Sequence, residues 1–221
     1  MGEHPGEKAG AAAGPVLTSS LSFEAALARL ALALGRLGAT PNSLTLVSFV
    51  LALVCGAAAA SGAFLIAAVF LIASGVFDLL DGSLARATNR TTAYGALLDS
   101  CLDRISDAAP LLGLMFFISP MGWFAVIPAI TLVGAFMISY VRARAEALGA
   151  KLPRLWMRRG DRLILLAIAL LVGPIHLPDI HVRAPLTILC LAVFAILNLW
   201  AFISVLLAAR NHLDQDPQHT P

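Results

Sequence analysis

Four carboxylates, Asp78, Asp81, Asp99 and Asp103, fall inside or at the rim of two long apolar segments. An ionised carboxylate in hydrocarbon costs several kcal/mol unless a positive charge meets it. Arg86 and Arg104 are near enough in sequence to neutralise two of the four, which would leave the other two unmatched. The group therefore points to bound cations and to a reaction, and this run is where function is expected.

The spacing assigns the acids to two helix faces. At about 100° per residue, Asp78 and Asp81 are about 60° apart, and Gly82 and Ala85 share with them a face roughly 100° wide. That face is acidic and otherwise nearly bare, so a flat ligand or another helix can approach it. Gly95, Asp99 and Asp103 follow at intervals of four, which stacks two carboxylates one turn apart near the next helix start, with Gly95 leaving space below them. Two acidic pairs on neighbouring helices suit hard divalent cations, above all Mg²⁺ bound through carboxylates and substrate phosphates. No soft ligand set accompanies them, which argues against zinc or copper.

The elements that must position these acids are membrane helices. The chain is 59 % apolar and 13 % charged, so its length counts membrane crossings and not soluble domains. Six stretches predict crossings at roughly 20 residues each: 42–60, 63–86, 94–118, 123–147, 163–172 with a polar lead-in from Arg159, and 185–210. Pro174 and Pro178 cut the fifth short. With both termini in the cytoplasm, Lys8, Arg29, Arg36, Arg86, Arg90, Arg142, Arg144, Lys151, Arg154, Arg158, Arg159, Arg162 and Arg210 lie inside, against Arg183 alone in an external loop. The acids then open to the cytoplasmic side of the cell inner (plasma) membrane.

Residues 1–20, rich in Gly, Ala and Pro, are expected to form a flexible tail without the pattern of a signal peptide. Over 21–38, Phe23, Leu27, Leu30, Leu34 and Leu37 recur at gaps of four and three, opposite Arg29 and Arg36. This is the pattern of an amphipathic juxtamembrane helix lying on the cytoplasmic leaflet and ended by Gly38. The expected fold class is an all-α integral membrane protein, in which that helix precedes a six-helix catalytic domain over 39–210 and a C-terminal tail over 211–221. Cys55, Cys101 and Cys190 each fall in an apolar span without paired spacing and read as small hydrophobes. No two histidines have the helical spacing of metal ligands.

The run Asp78-x2-Asp81-Gly82-x2-Ala85-Arg86-x8-Gly95-x3-Asp99-x3-Asp103 resembles the signature of the CDP-alcohol phosphotransferases at all eight defining positions. Six spans, the juxtamembrane helix and the Pro41-Asn42-x2-Thr45 entry into the first span are also similar to this family, so the resemblance covers nearly the whole chain after the tail. It implies transfer of a substituted phosphate from a CDP-diacylglycerol-type lipid to a small polar alcohol, with release of CMP. It further implies that Asp78, Asp81 and Asp99 hold two divalent cations, Mg²⁺ or Mn²⁺, and that Asp103 is the general base, with a share in the second metal. Asn42, Thr45, Asp78, Gly82, Ala85, Arg86 and Thr92 would border the CDP-lipid, with Arg86 facing its phosphates. Members of the family are usually homodimers; Gly113 and Gly134 suit close helix packing, either between subunits or within one.

For the acceptor, Ser139-Tyr140-Val141-Arg142-Ala143-Arg144-Ala145-Glu146 and Arg158-Arg159-Gly160-Asp161-Arg162-Leu163 look most like the phosphatidylinositol phosphate synthases and their archaeal relatives. That likeness implies an inositol phosphate acceptor held by Arg142, Arg159 and Arg162. Three positions depart from it: Arg158 replaces a Glu, Arg142 stands where Lys is usual, and the last span has Trp200 or Ala201 where a buried Arg is expected. Arg158 or Arg210 could supply the third cation, and glycerol phosphate, inositol or serine remain open as acceptors. A membrane prenyltransferase also pairs aspartates but places Asn where this chain has Phe77, and a cation transporter would carry polar residues through to the opposite side. No nucleic-acid partner is expected.

Overall fold

The structure, a computed structural model, describes residues 15–89, 91–153, 157–175, 177 and 182–214, the first ten of these by their backbone alone. Seven α-helices and one 3-10 turn account for most of them: α1 Pro15–Arg36, α2 Pro41–Ala60, α3 Phe64–Ala87, α4 Ala93–Ile118, the 3-10 turn Ser119–Ala125, α5 Val126–Ala147, α6 Arg159–Leu171 and α7 Pro185–Asp214. No strand occurs among the described residues. Residues 1–14 and 215–221, most of the two expected tails, lie outside the described residues, as do Lys8, Arg90, Arg154, Pro178 and the side chain of Phe23. Helix α1 begins at Pro15, six residues inside the expected tail, and α7 continues four residues past Arg210.

Local chemistry sets the helix starts nearest the acids. Thr40 and Ser43 cap α2 reciprocally: the Thr40 amide donates to Ser43 Oγ at 2.9 Å and the Ser43 amide to Thr40 Oγ1 at 3.2 Å. Pro41 occupies the first helical position, where its missing N–H costs nothing. Thr92 caps α4 by accepting the Gly95 amide at 3.0 Å. Helices α4 and α5 pack against each other, and the chain folds back between them at Gly122, whose φ of 64° needs a residue without Cβ.

Four continuous helical stretches are long and apolar enough to cross a membrane: Pro41–Ala60, Phe64–Ala87, Ala93–Ala147, which contains both α4 and α5, and Pro185–Asp214. Helix α6, at 13 residues, is about 20 Å long and shorter than a ~30 Å hydrocarbon core. Its pairing with α3 is nonetheless continuous. Arg159 meets Asp78, Leu163 lies 3.3 Å from where a Gly75 side chain would begin, and Gly173 abuts Phe64. These contacts describe two antiparallel helices in fixed register from the acids to the far end of the bundle.

The core between the helices is aliphatic, with Leu71, Leu111, Leu114, Leu166, Leu170 and Leu191 buried together. Gly56 and Gly113 bring α2 and α4 into backbone contact: a Cβ on Gly113 would stand 2.1 Å from the Gly56 carbonyl oxygen. Gly134 closes on the side chain of Asn198 of α7, whose Cβ lies 2.9 Å from where a Gly134 side chain would begin. Both glycines singled out for close packing therefore serve contacts within one chain. On α1, Leu27 and Leu34 flank the buried Ala31 and pack on Leu80 and Leu84 of α3, whereas Leu30 and Leu37 stay exposed. Only part of the leucine stripe is used against protein. Cys55 is buried as expected, but Cys101 is exposed.

Candidate active site

The C-terminal half of α3 and the N-terminal half of α4 converge on the acids. One carboxylate oxygen each from Asp78, Asp99 and Asp103 can be chosen so that all three lie within 4.8 Å of one another. Asp81 stands outside this trio and is the most buried of the four, 6 % exposed. Asp81 Oδ2 and Asp99 Oδ1 are buried without a hydrogen-bond partner among the described residues. Buried carboxylate oxygens left without donors are costly, and an all-oxygen set of this kind fits hard divalent cations. The residues present therefore suit the metal that the spacing suggested.

The cationic partner of the acids is Arg159 at the start of α6, with neither of the arginines close to them in sequence in that place. Its guanidinium pairs with Asp78 and lies 3.0 Å from Asp103 Oδ1 and 3.5 Å from Asp107 Oδ1. Arg104 turns back to the carbonyl of Ser100 on its own helix, and Arg86 lies exposed over Gly82. The pairing spans 81 residues of sequence between Asp78 and Arg159, so it depends on the register of α3 with α6.

Two cavities flank the carboxylates. The first, about 170 Å³, is lined by Asn42 and Thr45 of α2, by Gly82, Ala85 and Arg86 of α3, and by Thr92 ahead of α4, with Asp81 and Asp99 at its inner wall. Every residue expected to border the CDP-lipid is there except Asp78, which sits in the carboxylate trio beside it. The bare face of α3 and the gap at Gly95 make this space, as their small side chains predict.

The second cavity, about 630 Å³, has Asp103 on its wall together with Ser139 and Arg142 of α5 and Arg158, Arg159 and Arg162 at the start of α6. All three expected acceptor-binding arginines line it. They are not equivalent. Arg142 donates to the Pro153 carbonyl at 3.2 Å and is 3.9 Å from Glu146. Arg162 is buried and donates to Asp107 at 2.8 Å and to the Met157 carbonyl at 3.2 Å. Arg158 is also on the wall, whereas Arg210 is exposed and pairs with Asp214 at 3.3 Å. Ala201 is buried and Trp200 exposed, so of the two cations named as substitutes only Arg158 reaches the cavity.

Asp107 was not among the expected site residues. Its signal was present, because it continues the four-residue interval of Gly95, Asp99 and Asp103 by one more turn. Glu146, the one other acid on the second cavity besides Asp103 and Asp107, gave no such signal.

Comparison with known proteins identifies the family. The sequence pattern of CDP-alcohol phosphatidyltransferases matches residues 38–209. The chain belongs to that family. This phosphatidyltransferase is 35 % identical over 152 residues to the archaetidylinositol phosphate synthase of Pyrococcus horikoshii, covering 68 % of this chain and 79 % of the relative. It is 35 % identical over 164 residues to the phosphatidylinositol phosphate synthase of Mycobacteroides abscessus, covering 71 % of each. Among solved structures, the phosphatidylinositol phosphate synthase of Mycobacterium tuberculosis with CDP-DAG bound superposes with a TM-score of 0.73 at 27 % identity, over 83 % of this chain and 92 % of that one. The same synthase in complex with manganese and citrate gives a TM-score of 0.72, also at 27 % identity, over 83 % of this chain and 88 % of that one. The phosphatidyltransferase is thus an all-helical membrane enzyme of phospholipid synthesis with an acidic site suited to metal.

Proposed function

We propose that this phosphatidyltransferase moves the phosphatidyl group of CDP-diacylglycerol to inositol phosphate and releases CMP. The observation that carries the reading is the place of the acids between two unlike cavities. Asp81 and Asp99 face the small cavity bare enough for a nucleotide diphosphate, and Asp103 faces the larger one, walled by arginines. An acceptor hydroxyl beside Asp103 gives its proton to that carboxylate as its oxygen bonds to the lipid-bearing phosphorus. The bond from that phosphorus to the oxygen of CMP breaks, and CMP leaves through the first cavity. Asp78, Asp81, Asp99 and Asp103 are the residues that would hold two divalent cations, Mg²⁺ or Mn²⁺. Bound there, such ions supply charge stabilisation for both the attacking and the leaving oxygen.

Arg86 borders the donor cavity and suits the diphosphate. Arg142 and Arg159 suit the phosphate of an anionic acceptor, for which planar guanidinium groups are well matched. The names of the relatives, which include inositol phosphate lipid synthases from archaea and mycobacteria, support this acceptor over glycerol phosphate, inositol and serine. The enzyme is further read as six crossings with α1 on the cytoplasmic leaflet of the inner (plasma) membrane, as a homodimer, and with termini and site inside. The basic residues gathered at the acid end of the helices support that orientation.

The test is CMP release by purified protein with CDP-diacylglycerol, Mg²⁺ or Mn²⁺, and a panel of inositol phosphate, inositol, glycerol phosphate and serine. Inositol phosphate is expected to give the highest kcat/KM. A higher value with any other member would replace it as the acceptor.

A further inference from the structure

We propose that Asp107 is a positioning residue for the acceptor site, acting through Arg159. The inference rests on the reading of the second cavity as the acceptor site. Asp107 is one turn beyond Asp103 on α4, its side chain is 11 % exposed, and its two oxygens are divided between two arginines. Oδ2 takes Arg162 Nη2 at 2.8 Å, and Oδ1 faces Arg159 Nε at 3.5 Å.

Arg162 completes a clamp. It is 8 % exposed, and its Nη1 donates to the carbonyl of Met157 at 3.2 Å, while its Nε is buried without a hydrogen-bond partner among the described residues. Met157 itself is buried with φ of 61°, a left-handed conformation that a residue with a Cβ adopts only when its surroundings hold it there. The clamp from Asp107 through Arg162 to Met157 therefore fixes the segment that leads into α6 and carries Arg158 and Arg159. The amide of Arg158, donated to Asp161 Oδ2 at 2.9 Å, closes the same turn.

Arg159 is held from two sides. Its Nη edge faces the reacting acids Asp78 and Asp103, while its Nε edge faces Asp107. A long, freely rotating side chain facing only Asp78 and Asp103 would be drawn wholly into the carboxylates, and its guanidinium would leave the acceptor cavity. Asp107 supplies the opposing attraction, and it does so against an apolar backing of Leu111, Ala135, Leu166 and Phe194, where charge pairs are screened less than in water. Neither Asp107 nor Arg162 needs to touch the acceptor for this effect.

The experiment is steady-state kinetics on the full-length enzyme, with the acceptor that the wild type turns over best in the panel above. The identity of that acceptor tests the inositol phosphate reading, and the ratio of variant to wild type tests Asp107. Asp107→Asn is expected to raise the acceptor KM by roughly tenfold or more, the scale of one hydrogen bond to a charged group, with the CDP-diacylglycerol KM within about twofold of wild type, a margin far below that scale. Asp107→Glu, which restores the charge one methylene further out, should recover much of the loss. In an Arg159→Ala background, Asp107→Asn should add little to the acceptor KM, because a residue acting through Arg159 has nothing left to act on. If Asp107→Asn does not fold, Asp107→Glu carries the same cycle with a smaller shift. Equal changes in both KM values, an unchanged acceptor KM, or additive effects with Arg159→Ala would each overturn the proposal.

Discussion

Asp103 lines the second cavity whereas Asp81 and Asp99 line the first, and the proposed roles divide proton transfer from donor binding along that difference. Asp103→Asn is expected to lower kcat by roughly 10²- to 10⁴-fold, the range for a lost general base, while CDP-diacylglycerol still binds in the presence of Mg²⁺. Equilibrium binding of labelled donor checks this, and loss of donor binding would contradict the division of roles. Asp81→Asn should do the reverse and weaken donor binding, since Asp81 lies on the wall of the first cavity with one oxygen buried and unmatched. The four acids were legible in the sequence because charge inside an apolar segment stands out and the helical phase places it. Their cation was not legible. Arg86 and Arg104 were the near candidates, yet Arg159 holds the place because α3 and α6 run antiparallel in register, and no local periodicity encodes that register. Asp107 lay on the right face, but a face already supplied with two acids gave no reason to ask for a third.

At the scale of helices, Gly56 and Gly113 bring two backbones into contact, and the tolerance for a methyl group there is nil. Gly113→Ala places a Cβ 2.1 Å from the Gly56 carbonyl, so α2 and α4 must separate, and both carry walls of the first cavity. A loss of about 1–3 kcal/mol or more is expected, as for overpacked cores, read as a lower unfolding temperature in detergent. Gly160→Ala is the control: no atom lies within 4 Å of its Cβ position, so its unfolding temperature should be unchanged or raised. Equal destabilisation by both would mean that backbone contact is not the cause. The apolar stretches fixed where the helices run, because each is a continuous block bounded by Gly, Pro or charge. Hydropathy could not say which small residues meet which, so Gly113 and Gly134 were readable as packing residues but not as contacts within one chain. On α1 the stripe was readable, yet its division was not: Leu27 and Leu34 face α3 while Leu30 and Leu37 face outward, an arrangement suited to a helix with protein on one edge and lipid on the other.

For the whole molecule, α6 decides how the chain is threaded. With 13 residues it is about 20 Å long, short of a ~30 Å core, and by length alone it need not cross. Its partner argues that it does. From Asp78 back to Phe64, α3 covers about 21 Å, and along it α6 and the turn that follows meet α3 in order, Arg159 at Asp78, Leu163 at Gly75 and Gly173 at Phe64. The helix starts at the level of Asp78, which lies about 14 Å along α3 from its end at Ala87. The arginine-walled cavity is lined by the residues that open α6, Arg158, Arg159 and Arg162. If α6 crosses, Lys151 and Arg183 lie on opposite sides of the membrane, and in the orientation proposed above Lys151 is the cytoplasmic one. In a cysteine-free background, a membrane-impermeant maleimide added to intact cells should label Arg183→Cys and leave Lys151→Cys unlabelled until the membrane is opened. Both side chains are exposed, so absence of label reports the barrier and not burial. Label on both sites in intact cells, or on neither, would mean that α6 turns back within the membrane; label on Lys151→Cys alone would invert the orientation and place the arginine-walled cavity outside the cell.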